Sequence, residues 1–139
     1  MIRIFQGIDL VNVDKLQRVI ARHSAFVEDI YTPRERKYCM AHSSPHRHLA
    51  GRFAVKEACL KALGQGISSS GIGRVLTDIE VLSKPHGPPE LILHGWAAAL
   101  GKRKHIVQRT VSISHSGDYA VAMVVLVGMD PFHVSSEGF

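Results

Sequence analysis

The sequence predicts a single α+β domain in which an antiparallel sheet packs against helices. Three observations predict this class: an alternating apolar segment at the N terminus, a series of helix start signals after it, and two apolar segments around a tight turn near the C terminus. The 139 residues are enough for one hydrophobic core. A hydrophobic content of 45% excludes disordered and fibrous chains.

The first element is a strand over residues 2–13. Four apolar residues share one parity and are predicted to face the same side of this strand: Ile2, Ile4, Ile8 and Leu10. Asp9 has the opposite parity and shares it with Val11. An acidic residue inside an apolar strand is costly unless it is paired or binds a ligand, so Asp9 is a candidate functional residue.

A first helix is predicted directly after this strand. Asp14 is the expected N-cap, with Gln17 at the capping-box position, and apolar residues continue at helical spacing through 16–27. Three basic residues lie three and four positions apart and form a stripe beside the apolar one: Lys15, Arg18 and Arg22.

Two further helices have clear start signals. Thr32-Pro33-Arg34-Glu35 combines a cap, a first-turn proline and an acid, and predicts a helix that ends near His42. Ser44-Pro45 opens a longer helix that runs to Leu63 and ends at Gly64. Residues four apart on this long helix share one face: Phe53, Glu57 and Lys61.

The second half of the chain contains short strands and one helix. A Gly/Ser-rich loop covers 64–73, strands are predicted at 78–82 and 91–93, and a helix that starts at Trp96 is expected to break at Gly101. Strands 111–115 and 119–127 form a hairpin, and the second is apolar throughout, which predicts burial on both faces. The domain is assigned to 1–127, with a tail over 128–139 outside the core.

The charge indicates an anionic partner. Net charge is +5 and the sequence pI is about 9.5, which suits nucleic acid, a phosphorylated cofactor or an acidic protein. A basic nucleic-acid-binding module is therefore the alternative, although aromatic content is only 6% and no aromatic-plus-basic RNA-reading motif is present. No signal peptide or membrane-length apolar run is found, so we expect a cytoplasmic protein with no membrane partner.

Three segments carry a specific resemblance: GIDLV at 7–11, GRFAVKEACLKALGQG at 51–66 and VSISHSGDYAVA at 111–122. In this order and spacing they resemble the signature segments of holo-acyl-carrier-protein synthase, a bacterial-type 4′-phosphopantetheinyl transferase. DIEV at 78–81 and Gly-Pro-Pro at 87–89 also match, and the resemblance covers roughly 3–127. It implies transfer of 4′-phosphopantetheine from coenzyme A to a serine of apo-acyl carrier protein, in fatty acid biosynthesis, with adenosine 3′,5′-bisphosphate as the leaving group.

The resemblance also implies the site residues. Mg²⁺ is expected on Asp9 and Glu57, and Lys61 and His115 complete the catalytic set. Residues expected to bind coenzyme A are Arg52, Lys61, Gly64, Gly66, Pro89, His115 and Ser116. The chemistry is consistent with this, because phosphoryl transfer depends on positioning and charge neutralisation, and Mg²⁺ takes few carboxylates. The serine proton goes either to a metal-bound water or to a site carboxylate.

The implied partners are an acidic carrier protein and two further copies of this chain. The basic stripe, Lys15, Arg18 and Arg22, matches the family's docking helix, with an ordinary solvated face as the alternative. Members with one copy of the fold are trimers that place active sites between subunits. This chain departs from the family at Asn12, where many members carry Glu, and in its longer loop over 67–73.

Overall fold

The fold contains five strands and five helices within the residues that the structure describes. The structure is a computed structural model and describes residues 1–65 and 76–131. In chain order the elements are β1 (Ile2–Asn12), α1 (Val13–Arg22), α2 (Phe26–Ile30), α3 (Pro33–Met40), α4 (Pro45–Ala62), β2 (Ile79–Leu82), β3 (Glu90–Leu93), α5 (Gly95–Arg103), β4 (Ile106–Ser116) and β5 (Tyr119–Met129). The predicted α+β class is confirmed. No helix in these ranges has both the length and the apolar character needed to cross a membrane.

The main sheet is antiparallel, with strand order β1–β5–β4. β1 pairs with β5 along its whole length, from Ile2 opposite Met129 to Asn12 opposite Tyr119. β5 therefore runs two residues past the predicted boundary of the domain at 127. β2 and β3 form a separate antiparallel pair.

The core lies between this sheet and α4, whose residues Leu49, Ala54 and Ala58 are fully buried. Contact between α4 and β1 is closest at Gly7, where an added Cβ would lie 1.9 Å from the carbonyl oxygen of Ala58. Only glycine permits this backbone approach. Gly7 thus brings the residues that follow it on β1 directly against the middle of α4.

The start signals of α3 and α4 were predicted correctly. Thr32 caps α3, and Thr32 and Glu35 exchange the two hydrogen bonds of a capping box. α4 begins at Pro45 and is followed by Gly64, whose φ of +77° is a left-handed conformation that favours glycine.

The prediction for the first helix was wrong at both ends. Its N-cap is Asn12, whose side-chain oxygen accepts a hydrogen bond from the Lys15 N–H at 2.9 Å, and Asp14 lies inside the first turn. The helix then ends at Arg22, so the last apolar residues of 16–27 belong to α2 instead. The strand-to-helix transition occurs earlier than predicted because β1 stops pairing with β5 at Asn12.

Two predictions in the second half were also wrong. α5 does not break at Gly101 but continues to Arg103, because the cost of one helical glycine is only about 1 kcal/mol and this glycine is buried against Leu93. β4 begins at Ile106, five residues before the predicted start at 111, and includes a register shift between Ile106 and Gln108. That segment alternates poorly in sequence but pairs with the end of β5.

The expectation that β5 is buried on both faces was wrong for a single chain. Ala120, Ala122, Val124 and Leu126 are buried, but Tyr119 and Met123 on the other face are 46% and 45% exposed. This second face continues onto β1, where four apolar residues are 56–66% exposed. We call these residues the apolar sheet face: Ile2, Ile4, Ile8, Leu10, Tyr119 and Met123.

Candidate active site

Two carboxylates meet where β1 crosses α4. Asp9 lies on β1 two residues after Gly7, and Glu57 precedes Ala58 on α4, so the close contact at Gly7 brings both acids together. Lys61, one turn after Glu57, places its Nζ 3.1 Å from Asp9 Oδ1 and 2.9 Å from the carbonyl oxygen of Ile8. Asp9 and Glu57 are called the acid pair below.

The acid pair is electrostatically strained in the absence of a cation. Burial, together with the neighbouring Asp9 carboxyl, raises the pKa of Glu57 to about 8, and Lys61 opposes this shift. The second oxygen of Asp9, Oδ2, is buried and accepts no hydrogen bond from the described residues while both acids are ionised, whereas a protonated Glu57 donates a hydrogen bond to Asp9. A buried carboxylate oxygen without a donor is suited to a cation.

A magnesium ion fits this arrangement. Mg²⁺ binds proteins through one or two carboxylates and keeps its other positions for water and phosphate oxygens. Within residues 1–65 and 76–131, no cluster of three or more His, Cys, Asp or Glu side chains could hold a metal. The acid pair therefore offers a two-carboxylate site rather than a closed protein cage.

His115 lies at a different position along α4. Its Nε2 is 2.9 Å from the carbonyl oxygen of Arg47, in the first turn of α4. The same ring also lies against Gly51, where an added Cβ would be 3.3 Å from His115 Nε2. Gly51 and Glu57 are six residues of helix apart, which corresponds to roughly 9 Å. The structure thus brings Asp9, Glu57 and Lys61 together and sets His115 one to two turns earlier along the same helix.

Arg52 is buried, with 3% of its surface exposed. Its guanidinium lies 4.1 Å from the centre of the Tyr38 ring and donates a hydrogen bond to Ser83 Oγ. Its Nε is buried and has no acceptor in the part of the chain that the structure describes. The Nε–H of Arg52 is therefore a buried donor that the described residues do not satisfy.

Two other residues expected to bind coenzyme A, Gly64 and Pro89, lie between helices and strands. Gly64 directly follows α4, and Gly66 lies outside the described residues. Pro89 lines a cleft of about 500 Å³ between the β2–β3 turn and β4, together with Lys84, His86 and Arg109. This cleft is basic at several positions, and it shares no lining residue with the acid pair.

The basic stripe is exposed on α1, as predicted. Beside it lies an apolar cleft of about 240 Å³ between β1, α1, α2 and α4, lined mainly by Leu10, Val11, Leu16, Val19, Phe26 and Phe53. Asn12, Lys15 and Glu57 stand at its margin. Glu57 and Lys15 therefore line the same cleft, which connects one member of the acid pair to the first residue of the stripe.

Sequence reasoning missed two residues near this site. Asn12 is the cap that joins β1 to α1, and an Asn between a strand and a helical pattern is a usable signal for that role. Lys56, next to Glu57, is fully buried and paired with Glu35 at 2.7 Å. Nothing local in the sequence distinguishes Lys56 from an exposed helical lysine.

Known proteins resemble this chain over most of its length. The family model for the 4′-phosphopantetheinyl transferase superfamily matches residues 6–124. The chain is 41% identical to holo-[acyl-carrier-protein] synthase of Syntrophus aciditrophicus, over 88% of this chain and 94% of that protein. Among solved structures, the ACPS–CoA complex of Chronobacterium ammoniagenes superposes with a TM-score of 0.80, at 33% identity over 92% of this chain and 99% of that one. The Bacillus anthracis synthase in complex with CoA (3′,5′-ADP) gives a TM-score of 0.70 at 33% identity, over 90% and 96%. These relatives give no support to the nucleic-acid-binding alternative.

Proposed function

This chain belongs to the 4′-phosphopantetheinyl transferase superfamily, and from that membership we propose that it transfers 4′-phosphopantetheine from coenzyme A to a serine of apo-acyl carrier protein. The products are holo-acyl carrier protein, for fatty acid biosynthesis, and adenosine 3′,5′-bisphosphate. The observation that carries this proposal is the meeting of Asp9, Glu57 and Lys61 at the crossing of β1 and α4. Two similar solved structures are complexes with coenzyme A, which supports coenzyme A as the donor.

Asp9 and Glu57 are proposed to hold Mg²⁺. Burial and the neighbouring Asp9 carboxyl raise the pKa of Glu57, so the ionised pair needs a cation that takes the place of its proton, and the buried Oδ2 of Asp9 offers a ligand atom for it. When bound, Mg²⁺ neutralises the negative charge of the diphosphate. The protein itself contributes the fixed position of the two carboxylates, because each comes from a rigid element rather than a loop.

Lys61 is proposed to add a positive charge beside the diphosphate while it holds Asp9 in place. Its side chain is 47% exposed and can therefore contact both β1 and a bound substrate. His115 and Ser116 are proposed to bind the donor near the start of α4, together with Arg52. The separation of roughly 9 Å between Gly51 and Glu57 along α4 allows one extended donor such as coenzyme A to contact both places. Gly64, Gly66 and Pro89 are proposed to bind the nucleotide.

The carrier protein is proposed to dock on the basic stripe: Lys15, Arg18 and Arg22. Acidic helices and basic stripes attract each other, and this attraction directs the approach of the partner. Because the stripe borders the cleft onto which Glu57 opens, a serine on a docked carrier can reach the acid pair.

The working enzyme is proposed to be a cytoplasmic homotrimer with active sites between subunits, without a nucleic-acid or membrane partner. The apolar sheet face supports this assembly, since a contiguous exposed apolar surface is typical of a protein interface. Association of three copies would cover this face. Lys61 lines a cleft together with Ile8 and Met123 of this face, so a neighbouring chain seated there would lie close to the lysine that pairs with Asp9.

The test is intact-mass analysis of apo-acyl carrier protein incubated with this protein, coenzyme A and Mg²⁺. We expect a mass gain of one phosphopantetheine that is abolished by EDTA. Asp9→Asn and Glu57→Gln should abolish it as well, whereas Glu28→Gln, which removes an exposed acid on α2, should not. Absence of any mass gain with a folded protein and several carriers would refute the proposed transfer.

A further inference from the structure

Lys56 is a fully buried lysine beside the acid pair, and each of its N–H groups has a partner. Its Nζ donates to Glu35 Oε1 at 2.7 Å, to the carbonyl oxygen of Leu76 at 2.8 Å and to that of Ile79 at 2.5 Å. An ammonium group has three donors, so Lys56 is saturated. It has no donor left for a substrate and takes no direct part in the transfer.

The partner of Lys56 is itself fixed by backbone groups. Glu35 accepts hydrogen bonds from the N–H of Thr32 at 2.9 Å and from the N–H of Val81 at 3.1 Å. Thr32 is the cap of α3, and Val81 belongs to β2. The Lys56–Glu35 pair therefore connects α4 to α3, to β2 and to the chain at 76–79, which follows the loop expected to bind coenzyme A.

From these contacts we propose that Lys56 is a positioning residue for the acid pair, an inference that rests on the proposed function. On one side of α4, the contact between Gly7 and Ala58 sets the distance to β1. On another side, the three hydrogen bonds of Lys56 set the rotation of the helix about its axis. Glu57 is the next residue, and its carboxyl position depends on that rotation.

Small rotations matter at this site. A side-chain tip about 6 Å from the helix axis moves by about 1 Å when the helix turns by about 10°. A displacement of about 1 Å at reacting groups lowers an enzymatic rate by up to about 100-fold. Loss of the Lys56 contacts should therefore weaken cation binding by Asp9 and Glu57 before it disturbs distant parts of the fold.

A purely structural role predicts a different result. Buried ion pairs contribute little net stability compared with well-packed apolar residues, but removing one partner alone leaves an unpaired buried charge. Lys56→Met is therefore not a sufficient test, because it can unfold the protein. Two other variants avoid the unpaired charge: Lys56→Arg, which keeps the charge and shifts the donors, and the double variant Lys56→Met/Glu35→Gln, which removes both charges.

The experiment measures Mn²⁺ binding by the loss of the free-ion EPR signal, and in parallel the Mg²⁺ concentration for half-maximal activity, kcat and the KM for carrier protein. Tyr31→Phe is the matched control. The Tyr31 hydroxyl, just before α3, donates a hydrogen bond to the carbonyl oxygen of Leu49 near the start of α4, and phenylalanine removes it. We expect the folded Lys56 variants to bind Mn²⁺ at least 10-fold more weakly and to lose at least 10-fold in kcat. Their KM for carrier should stay within 2-fold of the wild-type value, and Tyr31→Phe should change only the Tm.

The outcomes separate this inference from the proposed function. Folded Lys56 variants with wild-type Mn²⁺ affinity and kcat would overturn the positioning role while leaving the transferase intact. Equal losses in Tyr31→Phe at a matched Tm would also overturn it, since any loosening of α4 would then suffice. A wild-type protein that neither binds Mn²⁺ nor modifies the carrier would overturn the proposed function, and the inference with it.

Discussion

Lys61 and Asp9 form an ion pair across 52 residues of sequence, with Nζ 3.1 Å from Oδ1. The same ammonium donates to the carbonyl oxygen of Ile8 at 2.9 Å, so both acceptors belong to β1. Lys61 therefore connects the last turn of α4 to β1, the strand that carries Asp9. The other Asp9 oxygen, Oδ2, is buried and accepts no hydrogen bond from an N–H or hydroxyl group of the described residues.

Lys61→Met should impair catalysis far more than stability. The side chain is 47% exposed, and ion pairs with an exposed partner contribute about 1 kcal/mol or less. Loss of a charge beside a diphosphate in the transition state should lower kcat about 100-fold. Rate and Tm measurements on the same preparation check this. Lys102→Met is the control, because Lys102 is an exposed lysine in the last turn of α5 and is not among the residues proposed to bind coenzyme A or the carrier protein. Equal kcat values in the two variants would contradict the role of Lys61.

Gly7→Ala should destabilise the protein strongly. The new Cβ would lie 1.9 Å from the Ala58 carbonyl oxygen, where the backbone of β1 meets the backbone of α4. We expect a loss of about 3 kcal/mol or failure to fold, measured by denaturant unfolding. Gly101→Ala is the control, because its Cβ would meet only side-chain atoms, of Leu93 at 3.4 Å and of Ile106 at 4.0 Å, and alanine favours the helix. A Gly7→Ala protein with wild-type stability would show that β1 and α4 can separate without cost.

The sequence predicted what depends on local pattern. The strand of Asp9, the capping box of α3 and the long helix of Glu57 and Lys61 all follow from spacing within one segment. The N-cap of α1 does not follow from local spacing. The choice between Asn12 and Asp14 depends on where β1 stops pairing with β5, which is at Asn12 opposite Tyr119. Contacts between distant segments decide such boundaries.

Burial was the other quantity that spacing did not determine. Lys56 is buried only because Glu35 and two carbonyl groups from remote segments surround its ammonium. The apolar sheet face shows the reverse case, since a continuous apolar pattern on β5 predicted burial that the single chain does not provide. The family resemblance supplied Asp9, Glu57 and Lys61 together. Their spatial meeting follows from the close contact at Gly7, which no local rule reveals.

Arg18→Glu should weaken binding of the carrier protein and leave binding of coenzyme A unchanged. Arg18 is exposed on α1 in the middle of the basic stripe, so its reversal places a like charge against an acidic partner. We expect the KM for carrier protein to rise about 10-fold, with kcat and the KM for coenzyme A unchanged. The effect should shrink as salt concentration rises. Arg103→Glu, a reversal at the end of α5, is the control. Similar KM values in both variants would contradict docking on α1.

Glu80 should contribute to stability in a pH-dependent way. Burial pushes the pKa of Glu80 upward, but hydrogen bonds from Thr32, Arg34 and His94 outweigh it and lower the pKa to about 2. Because the folded pKa lies below the ordinary value of 4.5, this stabilisation is present above about pH 4.5 and is lost as pH falls towards 2. Glu80→Gln should therefore have a lower Tm than wild type at neutral pH, with a difference that disappears in acid.

The control for this pH series is Glu90→Gln, which removes an acid that is 48% exposed in a surface ion pair. Its Tm should follow that of the wild type at every pH. A Tm difference between Glu80→Gln and wild type that stays constant down to about pH 3 would mean that the Glu80 side chain stabilises the fold by its shape rather than by its charge.

Ile4→Lys should separate assembly from folding. Ile4 lies in the apolar sheet face and is 66% exposed in the single chain, so a lysine there costs little within one subunit. In the proposed trimer the same lysine would be buried without a partner, which is strongly unfavourable. Sedimentation velocity should show a trimer for the wild type and a folded monomer for Ile4→Lys, with most transferase activity lost. Met40→Lys, at an apolar residue of α3 that is 52% exposed, is the control and should remain trimeric and active. A fully active Ile4→Lys monomer would contradict active sites between subunits, because each chain would then hold a complete site.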